Sequence, residues 1–272
     1  MPGSTEQFTA IPGTSVPSPL LRELVHIALL GAGALLAGAL ALWVVEGPVT
    51  GVRWLMGGLA GWAFVLWQCH TRLHLNVSTV DNHPFTRLGT ANRITLLRGW
   101  LIGATAGFLA MLPLQAHTGL LYVPAVFYTV AAALDGLDGF VARRQQQTTR
   151  LGTELDTALD AFGLLIAPLF AVFTGKLPAV YLLVSAAYYL FQWGIRWRQQ
   201  RGRPVYGLPP SQVRRYLAGA QMVLVALALW PPLPGAVSQW FGIALMIPLL
   251  LGFCRDWLHV SGRLGTRQEP AA

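Results

Sequence analysis

Charge is what this sequence has least of. Only 11% of its 272 residues are Asp, Glu, Lys or Arg, where a soluble domain carries about a quarter. So few charges exclude an ordinary water-soluble surface, and a mean hydropathy of +0.52 points the same way. Lysine is reduced to Lys176, so the net charge of +8 is arginine charge. Cysteine is nearly absent: Cys69 and Cys254 stand far apart with no ligand-like spacing, which excludes a disulfide framework or a cysteine metal site and reads both as buried thiols. Acids number only 11, and five of them (Asp135, Asp138, Glu154, Asp156 and Asp160) crowd into one window of the chain.

What is abundant is uncharged, apolar sequence. Eight runs, at roughly 24–45, 53–70, 93–113, 119–142, 153–175, 177–199, 212–232 and 237–255, each approach the ~20 residues a helix needs to cross a bilayer. The expected fold is an all-α polytopic membrane protein of eight transmembrane helices. Residues 1–22, rich in Pro, Ser, Thr and Gly, read as a disordered tail, and 259–272 as a second tail. The first apolar run reads as a retained span rather than a signal peptide. With both termini on one side, that side's connections and adjoining helix ends hold every Lys and Arg except Arg53 and Lys176. The positive-inside rule then places the termini and the acid-rich window at the cytoplasmic face of the inner membrane. Topology thereby accounts for the basic charge without a nucleic-acid partner. On that face the sequon Asn76-Val77-Ser78 reads as unmodified.

The acid window has the form D-x2-D-G-x2-A-R-x8-G-x3-D-x3-D. On a helix Asp135, Asp138 and Ala142 share one face, and Gly152, Asp156 and Asp160 share another. The short stretch between them makes the two helices antiparallel neighbours whose carboxylates converge, while Gly139, Ala142 and Gly152 leave room for a ligand. An unshielded carboxylate near membrane depth costs about 2.5–3.5 kcal/mol on insertion scales, and four of them also repel. Bound cations lower both costs, and an oxygen-only ligand set suits Mg2+ or Mn2+. Two such ions ~3.5–4 Å apart polarise a phosphoryl group and stabilise a leaving phosphate. The competing readings are a salt-bridge network with Arg143, Arg144 and Arg150, and a cation pathway through the acids.

Those eight motif positions resemble, without a mismatch, the signature of the CDP-alcohol phosphatidyltransferase family. The resemblance covers roughly residues 90–255 and implies a six-helix catalytic unit, 89–258, preceded by two further transmembrane helices in 23–88. It implies that Asp135, Asp138, Asp156 and Asp160 hold two divalent ions, Mg2+ or Mn2+. Asp160 would also be the general base, and Asp138, Gly139, Ala142, Arg143 and Gly152 would line the cytidine nucleotide site. The implied reaction moves a phosphatidyl group from CDP-diacylglycerol to a small, sometimes phosphorylated, alcohol and releases CMP; a homodimer among membrane lipids is implied too.

Asn92-Arg93-Ile94-Thr95-Leu96-Leu97-Arg98 resembles the start of the family's first core helix. Asn92 and Thr95 are then nucleotide-side groups or merely helix-capping or first-turn residues, and Arg98 a phosphate contact or a topology anchor. Pro210 to Arg215 resembles the phosphatidylglycerophosphate synthases, which usually carry Gly-Lys where this chain has Arg214-Arg215 and Thr where it has Ala218. Arg214 and Arg215 are candidate ligands of a phosphorylated acceptor, since guanidinium forks match phosphate oxygens. His70 and His74 read as juxtamembrane loop residues. Two alternatives accompany this reading: a phosphotransferase moving the head group of a soluble CDP-alcohol onto diacylglycerol, and a cation transporter using the acid cluster.

Overall fold

Each of the eight apolar runs forms a helix. The computed structural model describes residues 17–112, 118–208 and 211–264. Its helices are α1 (Ser18–Glu46), α2 (Pro48–Arg72), α3 (Gly89–Ala110), α4 (Tyr122–Arg144), α5 (Arg150–Phe173), α6 (Leu182–Gln200), α7 (Gln212–Ala228) and α8 (Gly235–Val260). Five of them (α1, α2, α4, α5 and α8) are individually long and apolar enough to cross a membrane. The fold is thus that of an all-α, multi-pass membrane protein.

Prolines and glycines set the ends. Helix α1 starts at Ser18 behind Pro17, so residues 18–22, expected in the tail, are helical; Pro19 sits in the first turn, where a missing N–H leaves no bond unmade. Residues 1–16 and 265–272, the rest of the two expected tails, lie outside the described residues. Gly47 alone separates α1 from α2, at a φ of +97° that a side chain would disfavour. Between α7 and α8 Pro231, Pro232 and Pro234 interrupt the helix, and Lys176 Nζ donates to the carbonyls of Trp230, Pro231 and Leu233 at 3.1, 3.0 and 2.7 Å. Trp230 O also accepts from the Leu233 N–H at 3.1 Å, so the ammonium chiefly serves carbonyls that the broken helix leaves without an intrahelical donor.

Glycines also let α2 and α3 meet backbone to backbone. A Cβ on Gly61 would stand 2.6 Å from Gly103 Cα, and one on Gly57 2.9 Å from Gly107 Cα. These positions form small-xxx-small rows on the two helices, the device by which membrane helices approach closely. Helix α1 packs on the outside of α2, so the two additional helices form a hairpin clamped to α3.

One expectation needs correction. Helices α4 and α5 are not direct neighbours in the sense the short connection suggested: both pack on α3 more than on each other. The wedge is possible because α3 offers glycine and buried polar groups on the inner face. The loops 73–88 and 145–149 meet beside this wedge, through Thr79 N–H to Thr148 O and Arg150 N–H to Val77 O, both 3.0 Å. Asn76 of the sequon is buried, its Nδ2 donating to Phe85 O at 3.0 Å and Arg87 O at 2.9 Å. Of the cysteines, Cys69 is buried but Cys254 is exposed, on the outer face of α8, so only the first is the buried thiol expected.

Candidate active site

The acids converge, and an arginine holds them together. Carboxylate oxygens of Asp135, Asp156 and Asp160 lie within 4.8 Å of one another. Arg98, rising from α3 between α4 and α5, is 1% exposed. Its Nη1 is 2.7 Å from Asp135 Oδ1, 2.6 Å from Asp156 Oδ1 and 3.9 Å from Asp138 Oδ2, and its Nη2 pairs with Asp160. Asp138 is fixed separately: Thr95 Oγ1 donates to its Oδ2 at 2.8 Å and the Gly139 N–H to its Oδ1 at 2.7 Å. The salt-bridge reading named Arg143, Arg144 and Arg150; Arg98, which it did not name, bridges Asp135, Asp156 and Asp160. A buried arginine in an apolar helix needs a partner, and that requirement was the signal in the sequence.

The donor set fits a hard divalent cation. It is made of carboxylate oxygens alone, the chemistry Mg2+ and Mn2+ prefer, and one guanidinium cannot neutralise four ionised carboxylates.

On one side of the acids lies a polar cradle of about 210 Å³. Asn92, Thr95, Asp138, Gly139, Ala142, Arg143, Gly152 and Asp156 line it, so every residue expected on the nucleotide side is present. Asn92 is no helix cap. Its Nδ2 donates to Leu88 O at 2.7 Å, Thr149 Oγ1 at 3.2 Å and Asn76 Oδ1 at 3.3 Å, tying three segments under the cradle. Thr149 caps α5 by accepting from Gly152 N–H at 2.9 Å, a strong N-terminal signal by type. Gly152 is required here, since a Cβ would fall 2.8 Å from Asn92 Oδ1. Thr149 and Gln147, also in the lining, belong to the connection between the two motif halves, where no fixed motif position drew attention to them.

On the other side is a second cavity, of about 420 Å³, bounded by α3, α4, α5, α6, α7 and α8. Asp135, Asp160 and Arg98 form its wall nearest the cradle, and Arg215 lines it as well. The structure separates the two arginines expected to act together. Arg214 turns toward α8, with Nη1 3.4 Å from Asp256 Oδ2, and lines a neighbouring groove instead. Successive residues on a helix point about 100° apart, which is why one reaches the cavity and the other does not.

Comparison with known proteins defines the class. The family model for CDP-alcohol phosphatidyltransferases matches residues 88–252, and the chain belongs to that family; it is a transferase enzyme of the membrane. Among its relatives are the CDP-diacylglycerol–glycerol-3-phosphate 3-phosphatidyltransferases of Escherichia coli (strain K12) and Shigella flexneri serotype 5b. Each is 30% identical over 129 residues, which is 46% of this chain and 68% of the relative. No solved structure gives a significant match.

Proposed function

We propose that this enzyme transfers a phosphatidyl group from CDP-diacylglycerol to the hydroxyl of an alcohol and releases CMP. What carries the reading is the placement of one acid cluster between two cavities, a polar cradle of nucleotide character and a space where an acceptor can approach from the opposite side. In-line displacement at phosphorus needs that arrangement, with attacking and leaving oxygens on opposite faces.

Asn92, Thr95, Gly139, Ala142, Arg143 and Gly152 bind and orient the cytidine nucleotide, with Asp138 at its phosphate end. Asp160 lines the acceptor cavity but not the cradle, which suits it to take the acceptor proton. The acceptor oxygen bonds to the β-phosphorus as the bond to the bridging oxygen breaks; the proton goes to Asp160 and the bridging oxygen leaves on CMP. Asp135, Asp138, Asp156 and Asp160 would hold two Mg2+ or Mn2+ ions, which when bound supply charge stabilisation at the phosphoryl oxygens. Residues 89–258 form the catalytic unit and residues 23–88 precede it. The site faces the cytoplasm by the positive-inside rule, and the enzyme works as a homodimer among membrane lipids.

The acceptor in the relatives' name, glycerol 3-phosphate, makes a phosphorylated alcohol the first to try, with Arg215, which lines the same cavity as Asp160, as its candidate cation. The test is CMP release by purified protein from CDP-diacylglycerol with Mn2+ or Mg2+ across a panel of alcohols. Release that requires both an alcohol and Asp160 supports the reading. Silence with CDP-diacylglycerol, but turnover of a soluble CDP-alcohol with diacylglycerol, would reverse donor and acceptor.

A further inference from the structure

The cavity beside Asp160 is poorly equipped for a polyol. Most of its polar groups are already committed within the protein. Arg98 is held by the acids. Gln221 donates from Nε2 to Leu245 O at 2.8 Å and accepts from the Tyr181 hydroxyl at Oε1. Beside the half-buried Tyr188, two groups remain without a hydrogen-bond partner among the described residues. One is the hydroxyl of Tyr128, whose residue is 5% exposed and belongs to the cavity wall together with Asp135 and Asp160. The other is the exposed guanidinium of Arg215. The rest of the wall is hydrocarbon: Ile102, Leu159, Val184 and Val225 are each 2% exposed or less.

An acceptor with hydroxyls all round would leave most of them unpaired against that wall, and unpaired buried polar groups are the costly ones. A volume near 420 Å³ is also in the range of pockets that enclose a ligand of drug size, larger than a three-carbon phosphate fills. The cavity adjoins the apolar groove between α6, α7 and α8, the two sharing Tyr188, Ala218, Leu249 and Phe253. That continuity gives a hydrocarbon chain a way out to the lipid-facing residues Val213 and Leu251, which are exposed.

We infer that the acceptor is an amphipathic alcohol, a hydroxylated anionic lipid. Its hydroxyl is held by Tyr128 and Asp160, its anionic group by Arg215, and its hydrocarbon by the apolar wall and the adjoining groove. The inference rests on the phosphatidyl-transfer reading above and names the acceptor class for that site. The step balances as before, the lipid hydroxyl forming the new bond to phosphorus, its proton passing to Asp160 and CMP leaving. Tyr128 supplies a hydrogen bond to the acceptor oxygen and takes no proton.

The test uses the full chain in mixed detergent micelles with CDP-diacylglycerol and Mn2+, reading CMP release with four acceptors: phosphatidylglycerol, a monoacylglycerol, glycerol 3-phosphate and inositol 1-phosphate. Phosphatidylglycerol should give a rate at least tenfold above either soluble phosphate, with the uncharged monoacylglycerol between them. Tyr128→Phe should raise the KM for phosphatidylglycerol several-fold at an unchanged KM for CDP-diacylglycerol and an unchanged melting temperature. A soluble phosphate as the faster acceptor overturns the inference and leaves the phosphatidyl-transfer reading standing. Equal changes in both KM values for Tyr128→Phe also overturn the inference. No CMP from any of the four, with Asp160 intact, overturns both.

Discussion

Arg98 Nη1 of α3 lies 2.6 Å from Asp156 Oδ1 of α5. Through this contact and its 2.7 Å counterpart at Asp135, a single buried side chain joins the acid faces of α4 and α5. Arg98→Met should therefore destabilise the metal-free protein. Removing one partner of a buried ion pair costs about 3–5 kcal/mol, and the low end applies because the Asp135 and Asp156 side chains are 30% and 46% exposed. Melting temperatures with and without Mn2+ give the check. The drop should be large without metal and smaller at saturating Mn2+, which returns the missing positive charge by mass action. An equal drop in both conditions would mean that Arg98 acts by packing alone.

Asp160, like Asp135, lines the acceptor cavity and not the cradle, and we assign it the role of base. General-base catalysis is typically worth about 10²–10⁴-fold, and the amide of Asp160→Asn cannot accept the proton. We expect kcat to fall by that order while CMP and Mn2+ binding, followed by calorimetry, stay within a few-fold. Loss of metal binding in parallel with turnover would make Asp160 a ligand first and a base second.

Gly152→Ala places a methyl 2.8 Å from Asn92 Oδ1 and 3.1 Å from Thr149 Oγ1. Neither side chain has freedom to move, since each is already engaged with the other and Asn92 also with Leu88 and Asn76. Disturbing one such bond is worth about 1 kcal/mol, so the KM for CDP-diacylglycerol should rise about fivefold at nearly constant kcat. A kcat effect with KM unchanged would move Gly152 from the nucleotide side to the chemistry.

Much of this was legible in the sequence because charge is so rare in it. Four aspartates and two glycines at helical spacing could be placed on two faces without a structure, and the cradle contains every residue expected of it. Three things could not be read. The wedge of α3 between α4 and α5 was hidden, because a short connection says that two helices are close in sequence but not what packs between them. The separate fates of Arg214 and Arg215 depend on the rotation of α7, which a basic run on its own does not fix. Tyr128 looked like one more aromatic in an apolar helix; only the cavity shows that its hydroxyl lacks a hydrogen-bond partner among the described residues.

The α1–α2 hairpin can be tested as more than an anchor. A Cβ on Gly61 would meet the backbone of Gly103, 2.6 Å away, and backbone cannot swing aside as a side-chain tip can. Overpacking of this kind costs typically 1–3 kcal/mol, and relief requires α3 to shift relative to α2. Helix α3 carries Asn92, Thr95 and Arg98 into the site, so Gly61→Ala should lower both the melting temperature and kcat/KM. Gly33→Ala on α1 is the matched control, because nothing lies within 4 Å of its added methyl and alanine is the better helix former. It should leave both quantities unchanged or raise the stability slightly. If Gly61→Ala lowers the melting temperature yet retains full kcat/KM, the position of α3 is set by α4 and α5 alone, and the hairpin serves the membrane rather than the site.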